Sequence, residues 1–295
     1  MNYIILCISM CTCILGNILR KFAGDRFENK GVMYHVYNGC LSGAAVLGLL
    51  VLGGIPDMSF FTLGLGVMFG LVTALQSVFL LKAYDKGPMS YTTVIVTLSS
   101  VIPALSGYFI WGEEIAAIQI VGIAFMVASL VCFADFSGKE KGTSLMWFVF
   151  SMAAFVATGI IGVTQKYQQT TAYKDQLDGF LVAAFAASCI YSAVIVAASA
   201  IKQTPERRKA LKKEISPLLI GITVVAGLCA FGNNKMNIYL SSVIDSAIFF
   251  PTINVGGLIL STVADMGLFK QKIQPLKWLG IGIGIVAVLL ICNPF

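Results

Sequence analysis

The densest group of polar residues in an apolar part of the sequence is Asn233, Asn234, Lys235 and Asn237, near the end of a long apolar segment. Amides both donate and accept hydrogen bonds, and a lysine amine carries positive charge, so this group could bind a small polar solute. An anionic or zwitterionic solute is preferred unless a carboxylate neutralises Lys235. Two interpretations of Lys235 stay open: its side chain extends to the membrane surface, or it faces a substrate or a carboxylate.

Polar residues of other apolar segments are further candidates, because a polar side chain in a membrane is costly unless it faces a cavity or another helix. Thr97, for example, shares a helical face with Thr93 and Ser100. A simpler interpretation exists for each candidate, since hydroxyls and amides also bond to their own backbone or to a neighbouring helix. The predicted substrate-binding residues are Asn17, Gln76, Thr97, Gln165, Asn234, Lys235 and Asn254.

Two residues are candidates for coupling or gating. His35 is the single histidine of the chain, and an imidazole can exchange a proton near neutral pH. Pro251 lies inside an apolar segment, where a proline frees one backbone carbonyl and can bend a helix. For His35 an exposed or structural role near the start of its segment is the alternative.

The sequence lacks the apparatus of the common enzyme classes. It has no His-Glu-x-x-His, no Gly-x-Ser-x-Gly, no phosphate-binding Gly-rich loop and no Cys-x-x-Cys pair in a loop. We therefore expect no enzymatic activity, no metal and no cofactor. The net charge of +6 comes from basic residues between apolar segments, so we expect no nucleic-acid partner either.

The composition indicates a membrane protein whose partner is the lipid bilayer. Hydrophobic residues make up 58% of the chain and charged residues only 12%. The apolar runs are long enough for helices that cross a hydrocarbon core, so the fold class is all-α, polytopic, with ten transmembrane helices. The predicted spans are about 2–20, 32–54, 58–81, 88–111, 115–133, 144–165, 178–201, 216–238, 243–268 and 276–293.

The lysines and arginines are distributed unevenly over the connections. Connections that follow odd-numbered spans, counted together with Arg20 and Lys277 at the adjoining span ends, hold 17 of them, whereas those after even-numbered spans hold two, Lys166 and Lys174. Because cytoplasmic loops retain basic residues, both termini are predicted to be non-cytoplasmic.

A repeated pattern divides the chain into two halves. The segment around Ile115 and Gly122 resembles the segment around Ile273 and Gly280, and both pairs are 158 residues apart. Because each half has five spans, the second half must enter the membrane in the opposite direction. The predicted domains are residues 1–137 and 138–295, two inverted five-helix repeats with a substrate site between them.

Several motifs carry a resemblance to a known family. They are Ala83-Tyr84, Gly87-Pro88, Pro103, Gly112-Glu113-Glu114, Phe249 to Asn254, Gly256-Gly257 and Phe269 to Ile273. With these motifs the chain resembles the EamA-type drug/metabolite transporter superfamily over nearly its whole length. The resemblance implies ten helices in two inverted repeats and a transport function.

The predicted function is secondary transport of a small organic metabolite across the cytoplasmic membrane by alternating access. A flippase for lipids or lipid-linked precursors on the same scaffold is the alternative. Small-residue faces such as Gly280-Ile-Gly282-Ile-Gly284 could pack within the chain or form a homodimer.

Overall fold

The computed structural model describes residues 2–24, 26–27, 30–133, 144–201, 203–204, 211, 215–269 and 275–292. These residues form helices joined by short connections and contain no strand. The predicted domain boundary at 137 and the part of the last family motif beyond Phe269 lie outside the described residues. The helices are α1 Asn2–Gly24, α2 Lys30–Gly53, α3 Phe60–Lys86, α4 Met89–Leu98, α5 Val101–Trp111, α6 Ala117–Phe133, α7 Leu145–Thr170, α8 Leu177–Ile201, α9 Pro217–Val243, α10 Ser246–Phe269 and α11 Pro275–Cys292.

The all-helical prediction is confirmed for the described residues, and the helices have the lengths of membrane spans. Eight segments of the described chain are long and apolar enough to cross a membrane, counting α4 and α5 together as Tyr91–Trp111. Two further apolar helices are shorter, Ala117–Cys132 and Trp278–Ile291. The chain is therefore a multi-pass membrane protein by helix length and composition.

The predicted span 88–111 is divided at Ser99 and Ser100 into α4 and α5. The Pro103 ring conflicts with the carbonyl of Ser99, four residues earlier, and proline has no amide hydrogen to bond there. The hydroxyls of Ser99 and Ser100 instead donate to the carbonyls of Val96 and Thr97. Hydroxyl bonds of this kind compete with the helical ladder and favour the break.

The described helices are distributed over two compact units. Unit 1 contains Tyr3–Ala74 and Gln168–Ile238, and unit 2 contains Leu75–Tyr167 and Tyr239–Phe295. Each unit includes segments from both predicted halves of the chain. The units are thus a different division from the predicted repeats, which stay a prediction.

In unit 1, α2 and α8 pack along one another. Ser42 of α2 hydrogen-bonds Ser188 of α8 at 3.3 Å, and Gly53 of α2 lies against Asp178 of α8. A later residue of α2 therefore meets an earlier residue of α8, so the two helices are antiparallel. In a membrane the hydrophobic effect does not favour contact with protein over contact with lipid, so helices associate through close packing. Small residues such as these allow the two helices to approach closely.

In unit 2, α6 packs along α11 and α5 packs along α10. The Ser129 hydroxyl of α6 donates to the Gly280 carbonyl of α11 at 2.7 Å, while Gly122 of α6 lies against Ile291. Gly107 of α5 likewise lies against the first residue of α10. The contacts of α6 and α11 run in opposite directions along the two helices, so this pair is antiparallel.

Candidate functional site

A cavity of about 170 Å³ lies in unit 1 between α1, α2 and α9. From α1 it is lined by Thr12, Cys13, Gly16, Asn17 and Arg20. Thr12, Gly16 and Arg20 are each four residues apart, and Cys13 and Asn17 follow two of them directly. The five positions therefore form one helical face. Gly16 has no side chain and leaves space at the centre of this face.

The opposite wall of the cavity comes from one face of α9. Its residues are Ala226, Cys229, Ala230, Asn233 and Asn234, again at helical spacing. Leu41 of α2 completes the lining. This wall has a small apolar part, made of two alanines and one cysteine, and a polar part made of the two asparagines.

Hydrogen bonds join α1 to α9 at one end of the cavity. The Ser9 hydroxyl is 2.8 Å from the Asn233 Oδ1 and 2.5 Å from the Asn237 Oδ1. A serine has a single hydroxyl proton, so one of the two amides must present its NH₂ group to the Ser9 oxygen. This triad is buried at Ser9 and fixes the two cavity-lining helices against each other.

Arg20 brings a positive charge to the cavity lining. Among the described residues no carboxylate forms an ion pair with Arg20. The Tyr37 hydroxyl of α2 lies near the guanidinium, and it has no hydrogen bond of ordinary length to any described residue. Tyr37 itself is 1% exposed. In the sequence Arg20 is one of the basic residues near span ends that predict orientation, and nothing in its sequence context indicates a cavity residue.

Two of the predicted binding residues, Asn17 and Asn234, lie together in the cavity lining. The Asn17 Nδ2 has a long contact of 3.9 Å to the Cys13 sulfur. The Asn234 Nδ2 donates to the Ala230 carbonyl of its own helix at 2.9 Å. Their place in the lining agrees with the predicted role, and whether they bind a solute stays a prediction.

Lys235 is next to the lining residues but has a partner of its own. Its ammonium is 2.6 Å from the Asp178 carboxylate in α8, and the Lys235 side chain is 46% exposed. Of the two interpretations from the sequence, the carboxylate-facing one describes this contact. The charge on Lys235 is thereby neutralised, so it no longer supports an anionic substrate.

His35 is partly buried in α2, where its ring lies 6.2 Å from the Tyr191 ring of α8. No carboxylate contacts it among the residues that the structure describes. This placement neither tests nor supports a coupling role.

The remaining predicted residues belong to unit 2. Thr97 donates to the Thr93 carbonyl, and Asn254 donates to the Phe250 carbonyl, each within its own helix. Gln165 is buried in α7, and Gln76 is half-buried in α3. Pro251 is buried inside α10, which continues through it from Ser246 to Phe269. These residues are not part of the unit 1 cavity.

Sequence reasoning missed a buried charged cluster in unit 2. Lys166, predicted to lie in a connection, is in α7 and forms an ion pair with Glu113. The Lys166 ammonium also donates to the Ser246 hydroxyl at 2.7 Å and lies 5.4 Å from the centre of the Trp111 ring. The Glu113 carboxylate accepts the Ser246 backbone N–H at 2.8 Å. Glu113 therefore caps the start of α10.

The comparisons with known proteins identify a fold and no family. No family model matches the chain, and no curated protein matches it. Twenty-eight chains of solved structures match. One of them, described as "Crystal structure of protein", is similar with a TM-score of 0.72 over 99% of this chain and 96% of that chain, at 14% identity. A likeness at this identity shows a shared fold alone.

Proposed function

We propose that this protein is a secondary transporter that moves a small organic metabolite across the cytoplasmic membrane by alternating access. The observation that carries the proposal is the unit 1 cavity. Its lining places amides, a hydroxyl and a guanidinium among apolar helices, where polar groups are costly unless they serve a solute or a partner helix. Such a concave site with a few convergent polar groups is typical of small-molecule binding.

The origin of the cavity helices supports a site between two repeats. Helices α1 and α2 come from residues 1–137, and α9 comes from residues 138–295. Transporters built from inverted repeats place the substrate where the repeats meet. Our proposal includes this arrangement, with the ten apolar segments of the described helices as the ten spans and the EamA-type drug/metabolite transporters as the related family.

The helix pairs provide a second line of support for inverted repeats. The pairs α2 with α8, α5 with α10 and α6 with α11 each join a predicted span to the span five positions later. A two-fold axis in the membrane plane makes equivalent helices antiparallel. The contacts along α2 with α8 and along α6 with α11 run in this antiparallel sense.

The sequence offset between the proposed repeats also agrees with individual contacts. Gly122 of α6 lies against Ala287 of α11, and Ser129 of α6 bonds to Gly280 of α11. Gly122 and Gly280 are 158 residues apart, and so are Ser129 and Ala287. Exchanging the two repeats at this offset therefore converts one contact into the other, as a two-fold relationship requires.

The experiment that tests transport is uptake into proteoliposomes, with a variant whose cavity is filled. The purified protein is screened against radiolabelled organic acids, amino acids, sugars, nucleosides and amines. Ala230→Phe places a ring in the cavity, because Ala230 lines it. Val224→Phe adds a ring at a 43% exposed position of the same helix and is the matched control.

Saturable uptake by the wild type and by Val224→Phe, abolished in a folded Ala230→Phe, is the expected result. Absence of saturable uptake for every class overturns the proposal. Movement of a fluorescent phospholipid between leaflets, measured in the same vesicles, would assign the scaffold to a flippase instead.

A further inference from the structure

We propose that the unit 1 cavity binds a small organic monocarboxylate, with Arg20 and Tyr37 as the groups that hold its carboxylate. The inference rests on the proposed transport function for its physiological meaning and names the substrate class of that site. It is carried by the charge of the lining, by an unsatisfied hydroxyl beside the lining and by the size of the cavity.

The cavity lining is positively charged. Arg20 belongs to it, and no aspartate or glutamate among the described residues does. Lys166 and Lys235, which also lie within long apolar helices, each contact a carboxylate. Arg20 contacts none within the part of the chain that the structure describes. Its planar guanidinium offers paired N–H donors, which match the two oxygens of a carboxylate.

The Tyr37 hydroxyl provides a second donor beside the same guanidinium. It is buried and has no partner within ordinary hydrogen-bond distance among the described residues. Tyr37 does not itself line the cavity, but its hydroxyl lies beside the guanidinium of Arg20, which does. A buried hydroxyl without a partner is unfavourable, and a carboxylate oxygen bound to Arg20 would accept its hydrogen bond.

The size of the cavity limits the rest of the molecule. Its volume of about 170 Å³ is below the roughly 300–1,000 Å³ of pockets that hold drug-sized ligands, so we expect a smaller solute. Ala226, Ala230 and Leu41 leave room for a short carbon chain. Asn17 and Asn233 can bond to a hydroxyl or carbonyl oxygen on that chain.

The same lining discriminates against other solutes of this size. An α-ammonium group would enter a cavity whose described lining has a guanidinium and no carboxylate, so a zwitterionic amino acid is disfavoured. A second carboxylate would find no second cation among the described lining residues. A neutral amide would leave the Arg20 charge unpaired. The substrate class is therefore a monoanion with a hydroxyl or keto group.

The test is titration calorimetry on the purified full-length protein in detergent, which measures binding without transport. Lactate, lactamide and alanine have nearly the same shape and differ in charge, as an anion, a neutral molecule and a zwitterion. We expect saturable binding of lactate and binding of lactamide and alanine weaker by about tenfold or more. Lactamide loses the hydrogen bonds between charged partners, whereas alanine brings an ammonium group close to the guanidinium. Acetate, propionate and pyruvate are the further probes.

Arg20→Gln is expected to reduce lactate affinity by about tenfold or more, and Tyr37→Phe by about threefold to tenfold. Arg26→Gln is the matched control, because Arg26 is an exposed residue shortly after α1 that does not line the cavity. It should bind lactate as the wild type does. Circular dichroism and size-exclusion profiles check that each variant is folded.

Four results would overturn the inference: no binding of any of the four carboxylates, equal binding of lactate and lactamide, unchanged affinity in a folded Arg20→Gln, or loss of affinity in Arg26→Gln as large as in Arg20→Gln. If phosphatidylglycerol stabilises the protein more than phosphatidylcholine does, if this effect depends on Arg20 and if no carboxylate binds, the guanidinium would be assigned to a lipid phosphate.

Binding of a carboxylate without its uptake into proteoliposomes would contradict the transport proposal and leave the site assignment intact. Uptake of another solute without carboxylate binding would support the transport proposal and contradict the carboxylate site.

Discussion

Lys166 and Glu113 form an ion pair whose side chains are only 5% and 15% exposed. Both residues also contact Ser246 at the first turn of α10. The pair thus connects α7, the segment after α5 and the N-terminus of α10 within unit 2. A buried charge without its partner is strongly destabilising, whereas an apolar replacement of both partners can be neutral.

We predict that Lys166→Met and Glu113→Gln each lower the free energy of unfolding by about 3 kcal/mol. The double variant should lose less than the sum of the two, because neither charge is then left unpaired. Thermal unfolding in detergent is monitored by tryptophan fluorescence. It ranks the wild type, the two single variants and the double variant by stability.

Glu114→Gln is the control for this prediction, since Glu114 is exposed and adjacent to Glu113. Its unfolding temperature should be that of the wild type. A loss in Glu113→Gln no greater than in Glu114→Gln would show that the ion pair contributes nothing to stability.

The packing of α3 against α8 in unit 1 predicts a sharp difference between two glycines of α3. A side chain at Gly70 would meet the backbone of Ala184, which cannot move without shifting α8. A side chain at Gly64 would have no neighbour within 4 Å. Gly70→Ala should therefore destabilise the protein by about 1–3 kcal/mol, the usual cost of overpacking.

Gly64→Ala should be neutral or stabilising by up to about 1 kcal/mol, because alanine is the better helix former. Both variants are compared by thermal unfolding under identical detergent conditions. Similar unfolding temperatures for the two would contradict the close approach of α3 and α8.

Apolar length predicted the helices well, because about 20 apolar residues have few other structures open to them in a membrane. Each predicted span of the described chain contains a helix, and the one at 88–111 contains two. The errors are at charged positions. The hydropathy pattern ended the sixth span at residue 165, so Lys166 was placed in a connection, whereas α7 continues to Thr170.

The partners of charged residues could not be predicted from the sequence. Glu113 and Lys166 are far apart along the chain, and so are Asp178 and Lys235. Only tertiary packing decides that one lysine is buried against a carboxylate and another is half-exposed. Amides in apolar segments are rare, so the sequence indicates Asn17 and Asn234, which line the cavity, as candidates. Basic residues at helix ends are common, so the sequence does not indicate Arg20.

The exposure of the Lys235–Asp178 pair predicts a small contribution to stability. The two side chains are 46% and 34% exposed, and solvent screens such pairs. Lys235→Met should change the free energy of unfolding by less than about 1 kcal/mol. It should also leave lactate affinity unchanged, in contrast to Arg20→Gln. A tenfold loss of affinity in Lys235→Met, measured by the same calorimetry, would transfer the anion-binding role from Arg20 to Lys235.

The distribution of lysine and arginine predicts that the C-terminus is non-cytoplasmic. In a bacterial host, alkaline phosphatase fused after Phe295 should be active, because it folds only outside the cytoplasm, and green fluorescent protein fused there should be dark. Fusions truncated after Lys209, in the basic connection between α8 and α9, should give the reverse pattern. Fluorescence from the fusion after Phe295 would place the C-terminus in the cytoplasm. The orientation of the whole protein, and of its cavity, in the membrane would then be the reverse of the predicted one.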